Sequence, residues 1–242
     1  MRPDAGWLRP DWPGVTAFMT TRGLNFGRRS GDPDEVRANR ASLAGLLGAR
    51  PVFLDQVHGA EVVRLRADWH DDNAPQADAA VSTDRGLAVA ILVADCLPVL
   101  LAAPGGVAGA HAGWRGLAAG VLENTVAELC SAACCGPGEV RAWLGACIGP
   151  EAFEVGPEVV RAFGREPLDR DQPGFLYRPN PEPRWRADLA LLARDRLRAA
   201  GVGEVSGGGW CTLTEDSRFF SFRGEALGRP RGRMAACIAL GR

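Results

Sequence analysis

Two long apolar runs lie near the middle of the chain. They cover Leu87 to Ala94 and Leu97 to Ala103, and only Asp95 and Cys96 separate them. Each run has the length of a β-strand, and continuous apolar runs of this length are typical of strands that are buried on both faces. A third run of small residues follows from Val107 to Ala112. The pattern therefore predicts three consecutive buried strands.

Shorter patterns predict the elements around these strands. Period-two alternation from Phe53 to His58 predicts a strand that places Leu54, Gln56 and His58 on one face. Helical spacing of apolar residues predicts a helix over Arg115 to Cys135. The remaining predictions are a strand at Val140 to Ala146, a short helix near Pro157 to Phe163, an amphipathic helix around Asp188 to Ala200, and paired strands within Arg218 to Leu240. Strands and helices alternate without a regular βαβ repeat, so we predict an α+β fold, a single layered domain (residues 1–242) around a mixed β-sheet with flanking helices.

Composition narrows the possible functions. The 28 basic residues nearly balance the 29 acidic ones, which leaves a formal charge of -1. Without a block of like charge we expect no nucleic acid or membrane partner, and a small-molecule substrate instead. All 28 basic residues are Arg. The absence of Lys excludes Schiff-base aldolases, pyridoxal-phosphate enzymes, P-loop NTPases and protein kinases, and it leaves phosphate recognition to Arg, main-chain N–H groups or a metal.

The cysteines and the N-terminus indicate the compartment. Seven cysteines occur without regular spacing, unlike a disulfide framework, so we expect reduced thiols. The first residues contain no apolar segment of the kind found in secretory signals. The stretch from Leu87 to Ala103 is short for a membrane span and is broken by Asp95 and Pro98. We therefore predict a cytoplasmic protein. We expect it to be either a monomer or a homodimer.

Two histidines and one cysteine form a candidate metal site. His58, Cys96 and His111 each lie at or just past the end of a predicted strand, beside small residues. Imidazole and thiolate are ligands that Zn(II) prefers, and three protein ligands with an open fourth position are typical of catalytic zinc. The only other histidine is His70, so the ligands of a full multicopper oxidase are missing. Spacing alone also fits two core histidines and a buried apolar cysteine.

The same residues allow two other kinds of reactive site. Cys96 with a histidine as general base forms a nucleophilic pair that needs no metal. Two histidines and a cysteine are also the ligands of a blue-copper centre, for which Met19 or Met234 would be the axial ligand.

Several motifs, in order along nearly the whole chain, resemble the laccase-domain family. They include LDQVHG at residues 54–59, ADAAVST at 77–83, VADCLPVLLA at 93–102, AHAGWRGLAAGVLENTV at 110–126, WLGACIGPEAFEVG at 143–156 and CTLTEDSRFFSFR at 211–223. Bacterial members are also called polyphenol oxidase, purine nucleoside phosphorylase or peptidoglycan editing factor. The resemblance implies one zinc per chain, held by His58, Cys96 and His111, which would also be catalytic. It further implies phosphorolysis of purine nucleosides, with adenosine deamination alongside.

The resemblance also suggests residues that contact substrate. We expect phosphate to be held by three arginines within family motifs, namely Arg22, Arg40 and Arg115. Gln56 is a candidate substrate contact, and Asp95 is a further candidate catalytic residue, although alternation along a continuous strand would point it away from Cys96. Trp114, Phe219 and Phe220 are candidates for stacking on a purine, although aromatic residues at strand spacing are more often core residues.

Two departures from the family pattern affect the rim of the site. Only Gly23 and Leu24 separate Arg22 from Asn25, which shortens a turn that is longer in the family. Gly224 stands where the family often has a second arginine.

The leading hypothesis is a zinc-dependent purine nucleoside phosphorylase that acts on adenosine, inosine, guanosine and methylthioadenosine, with accessory adenosine deaminase activity. The alternatives are a Cys/His or zinc hydrolase that edits a peptidoglycan precursor, a non-catalytic domain with structural zinc, and a copper polyphenol oxidase.

Overall fold

The computed structural model describes residues 6–69, 73–179 and 182–241, so His70 lies outside the described residues. The elements in chain order are β1 (Val15–Met19), α1 (Pro33–Leu47), β2 (Arg50–Phe53), β3 (Val62–Arg64), β4 (Ala79–Ser82), β5 (Leu87–Val93), β6 (Leu97–Ala103), β7 (Gly106–Ala112), α2 (Trp114–Ala118), α3 (Val121–Ala133), β8 (Arg141–Leu144), β9 (Glu154–Val155), α4 (Pro157–Ala162), β10 (Phe175–Arg178), β11 (Arg184–Ala187), α5 (Leu189–Ala199), β12 (Glu204–Gly207), α6 (Phe222–Glu225) and β13 (Met234–Leu240). None of the helices in these ranges is long and apolar enough to span a membrane.

The strands form two large sheets and one small sheet. A four-stranded sheet has the order β1-β13-β5-β2, a six-stranded sheet has the order β12-β8-β6-β7-β4-β3, and β10, β11 and β9 form the third. Both large sheets are mixed, since β2–β5, β3–β4 and β8–β12 are parallel pairs within otherwise antiparallel sheets. The α+β class is confirmed. The strands form three sheets, whereas a single mixed sheet was predicted.

The two large sheets pack face to face through an inner apolar layer. Val89 and Ile91 of β5 meet Leu100 of β6 and Val107 of β7 in one buried cluster. Gly109 of β7 permits this close approach, because a Cβ there would lie 2.9 Å from Val89 Cγ1. Alternation in β5 thus decides which residues face the second sheet.

Helices cover the outer face of each large sheet. On the four-stranded sheet, Leu43 and Leu47 of α1 pack with Ala88 and Ala90 of β5. Helices α3 and α5 cover the six-stranded sheet, and their apolar residues share a cluster with those of β6 and β7. The order of layers is therefore helix, sheet, sheet, helix.

Three predicted elements differ in the structure. The strand predicted at Phe53 to His58 is wrong beyond Phe53, where β2 ends. The helix predicted over Arg115 to Cys135 divides into α2 and α3, because Gly120 adopts a left-handed conformation with φ 92°. Within Arg218 to Leu240 only β13 is a strand, and α6 forms a short helix before it.

Candidate functional site

The structure brings His58, Cys96 and His111 together. Their ligand atoms all lie within 4.8 Å of one another. The two imidazole rings stand nearly perpendicular, at 75°, with their centroids 4.8 Å apart. His58 lies in the loop after β2, Cys96 immediately precedes β6, and His111 lies near the end of β7. The three metal-donor side chains that were predicted at strand ends therefore form one cluster.

A break between β5 and β6 positions Cys96. The chain leaves the four-stranded sheet at Val93 and enters the six-stranded sheet at Leu97. Asp95 lies between them with φ 85°, in the left-handed region that non-glycine residues seldom occupy. No strand continues through Cys96, as the two separate apolar runs predicted, so strand alternation does not determine where Asp95 points.

Both carboxylate oxygens of Asp95 are hydrogen-bonded. Oδ1 accepts the hydroxyl of Thr212 at 2.6 Å, and Oδ2 accepts the main-chain N–H of Arg223 at 2.6 Å. The main-chain oxygen of Asp95 accepts the N–H of Ile148 at 2.8 Å. These contacts favour a role in orienting main chain, and the predicted catalytic role of Asp95 stays a prediction.

Asp78 holds the loop that carries His58. Its carboxylate accepts the main-chain N–H groups of Val57, His58 and Gly59 at 3.1, 2.9 and 2.6 Å. Such convergence of amides on one anion stabilises a sharp turn, and His58 itself has φ 62°. The turn leaves the His58 side chain exposed to solvent.

The same carboxylate fixes the orientation of His111. Nδ1 of His111 lies 2.7 Å from Oδ1 of Asp78, and both side chains are buried. With Nδ1 bonded to the carboxylate, Nε2 is the nitrogen that is left for Cys96 or a metal. Sequence reasoning did not single out Asp78. The available signal was a charged residue among the apolar residues of the segment ADAAV, at residues 77–81.

The charges of the cluster depend on one another. Burial alone would raise the pKa of Cys96, but the charge of His111 and hydrogen bonds from both imidazoles lower it to about 6. Burial alone would lower the pKa of His111, but Cys96 and Asp78 raise it to about 9. Burial opposes ionisation of Asp78 as well, yet hydrogen bonds from His111 and from main-chain amides hold its pKa below the usual range. Without a metal, the cluster is therefore a thiolate beside an imidazolium.

Two glycines leave room beside the cluster. A Cβ at Gly113 would lie 3.0 Å from Sγ of Cys96 and 3.1 Å from Cδ2 of His58. A Cβ at Gly116 would lie 2.5 Å from the main-chain oxygen of Gly59. Helix α2 can therefore pack against the His58 loop only with glycine at 116, whereas a side chain at 113 would crowd Cys96 and His58.

The donor set fits a metal ion. Two imidazoles and a thiolate in mutual reach, with a carboxylate behind one imidazole, have the chemistry of a zinc site with its supporting hydrogen bond. The axial methionine of a blue-copper site finds no support in the contacts of Met19 and Met234. Their sulfur atoms accept the main-chain N–H groups of Ala146 and Phe220, at 3.2 and 3.1 Å.

The three predicted phosphate-binding arginines have different surroundings. Arg115 is exposed and follows His111 by four residues in the chain. Its guanidinium carbon lies 4.3 Å from the centroid of the Trp114 ring. Arg22 is also exposed and donates to the main-chain oxygen of Asp216.

Arg40 and Gln56 make structural contacts. The buried guanidinium of Arg40 donates to the main-chain oxygen of Phe26 through Nε and Nη2, at 3.0 and 2.8 Å, and stacks on Phe53. The Gln56 amide accepts the N–H of Leu92 at 2.8 Å and donates to its carbonyl at 2.9 Å. Gln56 thereby extends the β2–β5 pairing beyond the end of β2. Substrate contacts by Arg40 and Gln56 stay predictions.

The aromatic candidates for purine stacking are mostly unavailable. Phe219 and Phe220 are buried in the inner apolar layer, at 2% and 8% exposure. Their burial fits the core role that is usual for aromatic residues at strand spacing and leaves neither ring available to a purine. Trp114 is only partly buried, and Arg115 covers one face of its ring.

Comparison with known proteins identifies the family. The model of the family described as multi-copper polyphenol oxidoreductase laccase matches residues 13–241. A protein of Pseudomonas aeruginosa named purine nucleoside phosphorylase PA4543 is 45% identical, over 97% of this chain and 98% of its own. Purine nucleoside phosphorylase YfiH of Escherichia coli K12 is 43% identical, over 96% of this chain and 97% of its own. The crystal structure of NMB0706 from Neisseria meningitidis is similar over 98% of this chain and 100% of its own, with 37% identity and a TM-score of 0.84. The chain therefore belongs to the multi-copper polyphenol oxidoreductase laccase family.

Proposed function

We propose that this protein is a zinc-dependent purine nucleoside phosphorylase with accessory adenosine deaminase activity. The observation that carries the proposal is the His58, Cys96 and His111 cluster in a chain whose relatives at 43–45% identity are named purine nucleoside phosphorylases. The substrates we propose are adenosine, inosine, guanosine and methylthioadenosine, each with phosphate. We also retain the predictions of a cytoplasmic location and of a monomer or homodimer.

Zinc would be held by Nε2 of His111, an imidazole nitrogen of His58 and the thiolate of Cys96. When bound, zinc supplies a Lewis acid that stabilises negative charge on a reacting oxygen. The protein supplies the orientation, because Asp78 fixes both the His111 ring and the His58 loop. An exposed His58 and a partly buried Cys96 leave one side of the cluster open to a small molecule.

Arg115 is the arginine best placed to bind phosphate. Phosphorolysis forms a bond from a phosphate oxygen to C1′ while the bond from C1′ to the purine nitrogen breaks, so the phosphate must be positioned next to the sugar. Arg115 is exposed, and its guanidinium packs on Trp114. It lies in α2, which packs closely against the His58 loop at Gly116. A guanidinium binds phosphate with two parallel hydrogen bonds. By contrast, Arg40 is already engaged with Phe26.

The test is incubation of zinc-loaded protein with adenosine, with and without phosphate, followed by chromatography. We expect adenine and ribose 1-phosphate to form only with phosphate. Inosine formed without a phosphate requirement would leave only the deaminase. Loss of turnover in His111→Ala supports catalysis at the cluster, and a folded, fully active His111→Ala protein contradicts it. Arg115→Ala should raise KM for phosphate, whereas the exposed control Arg198→Ala should not.

A second function is favoured by the pairing of Cys96 with two imidazoles. A thiolate beside an imidazolium is the arrangement of a cysteine nucleophile with its acid-base partner, and it suits attack on an amide of a peptidoglycan precursor. Chelation separates the two proposals. The phosphorylase should lose turnover when zinc is removed, whereas a cysteine hydrolase should gain activity.

A further inference from the structure

The C-terminal end of α3 brings two cysteines together. The helix ends at Ala133, and Cys134 adopts a left-handed conformation with φ 53°. The main-chain N–H of Cys135 then donates to the carbonyl of Cys130 at 3.1 Å. This six-to-one hydrogen bond is the mark of a Schellman motif, in which the side chains at these two positions frequently pack together. Both side chains here carry thiols.

The three cysteines of this turn have different surroundings. Cys130 and Cys135 are partly buried, and the Cys135 thiol is close enough to act on the charge of Cys130. Burial and the adjacent Cys135 thiol raise the pKa of Cys130 to about 11, so Cys130 keeps its proton at neutral pH. Cys134 is exposed and its Sγ lies 3.9 Å from the carbonyl of Ser131 instead.

We propose that Cys130 and Cys135 form a reversible disulfide when the protein meets a low-molecular-weight disulfide such as oxidised glutathione. The thiolate of Cys135 attacks one sulfur of oxidised glutathione, which gives a mixed disulfide and releases one glutathione thiolate. The thiol of Cys130 loses its proton to solvent and attacks Sγ of Cys135, which releases the second glutathione thiolate. Two protein thiols are oxidised, and one glutathione disulfide is reduced to two thiols.

The geometry favours this pair over the alternatives. The hydrogen bond from the main-chain N–H of Cys135 to the carbonyl of Cys130 brings the two residues together across the turn, so little movement of main chain is needed. A bond between the adjacent residues Cys134 and Cys135 would have to distort the peptide that joins them. The pair also lies far along the fold from the metal ligands, because the end of α3 packs on Gly106 at the start of β7, whereas His111 lies near the other end of that strand. Oxidation at this turn should therefore leave the metal cluster unchanged.

The test counts free thiols in the zinc-loaded full chain after equilibration in glutathione buffers of rising oxidised fraction. Remaining thiols are labelled with a maleimide, and trypsin releases the segment Gly116 to Arg141, which contains all three cysteines. In Cys134→Ser we expect both labels on this segment to disappear together, without bound glutathione, and to return after treatment with dithiothreitol. In the wild type, the one remaining label or glutathione should be on Cys134.

Cys135→Ser is the matched variant that cannot form the bond. In this variant, Cys130 should either keep its maleimide label or carry glutathione at every buffer composition tested. The proposal is overturned if both thiols of Cys134→Ser stay labelled at every buffer composition, if single glutathione adducts persist there, or if fragmentation places the wild-type disulfide on Cys134. Zinc content should be equal before and after oxidation, and zinc loss that accompanies the loss of labels would contradict the separation from the metal cluster.

Discussion

Replacing Asp78 with asparagine tests how the metal cluster is held. The substitution keeps the size of the side chain but removes its charge and converts one acceptor oxygen into an NH2 donor. Oδ1 accepts from His58 N and His111 Nδ1, and Oδ2 accepts from Val57 N and Gly59 N. Either orientation of the amide therefore places its NH2 group against two donors.

The expected magnitude follows from those four bonds. Hydrogen bonds to a charged group contribute about 1.5–3 kcal/mol each, so loss of one bond, if His111 changes tautomer, or of two bonds should lower the free energy of unfolding of the metal-free protein by about 1.5–6 kcal/mol. If the NH2 group faces His111, that ring is driven to the tautomer with the proton on Nε2, the nitrogen left for the metal. Loss of such a carboxylate typically costs about 10–100-fold in metal affinity, or about 1.4–2.7 kcal/mol.

Urea unfolding of the metal-free protein and zinc competition with a chromophoric chelator measure the two effects separately. The control is Asp55→Asn, since Asp55 is only partly buried and accepts a single side-chain bond from Gln76 at 3.2 Å. We expect the control to change stability by less than about 0.5 kcal/mol. An Asp78→Asn protein that unfolds like the wild type would refute the role of Asp78 in the loop. If it is destabilised but binds zinc with unchanged affinity, Asp78 does not orient His111.

Three further outcomes follow from the site. In metal-free protein, alkylation of Cys96 by iodoacetamide should be fast at neutral pH and slow as the pH falls through about 6, because the thiolate is present only above that pKa; zinc should suppress the reaction at every pH tested. Gly113→Ala should weaken zinc binding in the chelator assay with little change in unfolding, since its Cβ would crowd Cys96 and His58 while its φ of -64° suits any residue. Gln56→Ala should lower the free energy of unfolding by roughly 2–4 kcal/mol, because the N–H and carbonyl of Leu92 both lose a partner.

Matched substitutions make these outcomes specific. Gly23→Ala places a Cβ in open space and should leave zinc binding as it is in the wild type. Gln76→Ala removes one exposed side-chain bond and should hardly alter the urea midpoint. Equal effects of Gln56→Ala and Gln76→Ala would show that the bonds to Leu92 do not stabilise the sheet. An alkylation rate of Cys96 that stays constant from pH 5 to pH 8 would contradict a thiolate held by His111.

The sequence predicts the metal donors better than it predicts the main chain that carries them. Cys96 and His111 could be placed because buried apolar runs mark strand ends, and two strands that are neighbours in the chain usually pair. The turn at His58 could not be foreseen, because alternation continues through Gln56 although the strand ends at Phe53. Beyond Phe53 the side chain of Gln56 makes the hydrogen bonds that a strand would make. Its partner Leu92 is 36 residues away in the chain, so a local pattern cannot indicate this bond.

Asp95 and Asp78 show the same limit. An aspartate between two apolar runs reads equally well as part of a continuous strand or as a break, and only the partners Thr212 and Arg223, more than 100 residues further along, hold it in the left-handed conformation. Asp78 was visible as a charge at the start of an apolar strand, but its role depends on a loop and on a second strand that meet only in the folded chain. Helix α1 was not among the predicted elements, although it carries local signals: Asp32 precedes it, Pro33 is its first residue and Gly48 follows it.

The ligands of the candidate metal centre belong to different layers of the fold. The loop of His58 is tied to the four-stranded sheet through Gln56, whereas His111 lies in the six-stranded sheet and Cys96 lies where the chain crosses between them. An ion bound by all three would link the two sheets, so separation of the sheets would require release of the ion. Unfolding would then be linked to metal supply, and chains made under zinc limitation would open more often and be removed faster by cellular proteases.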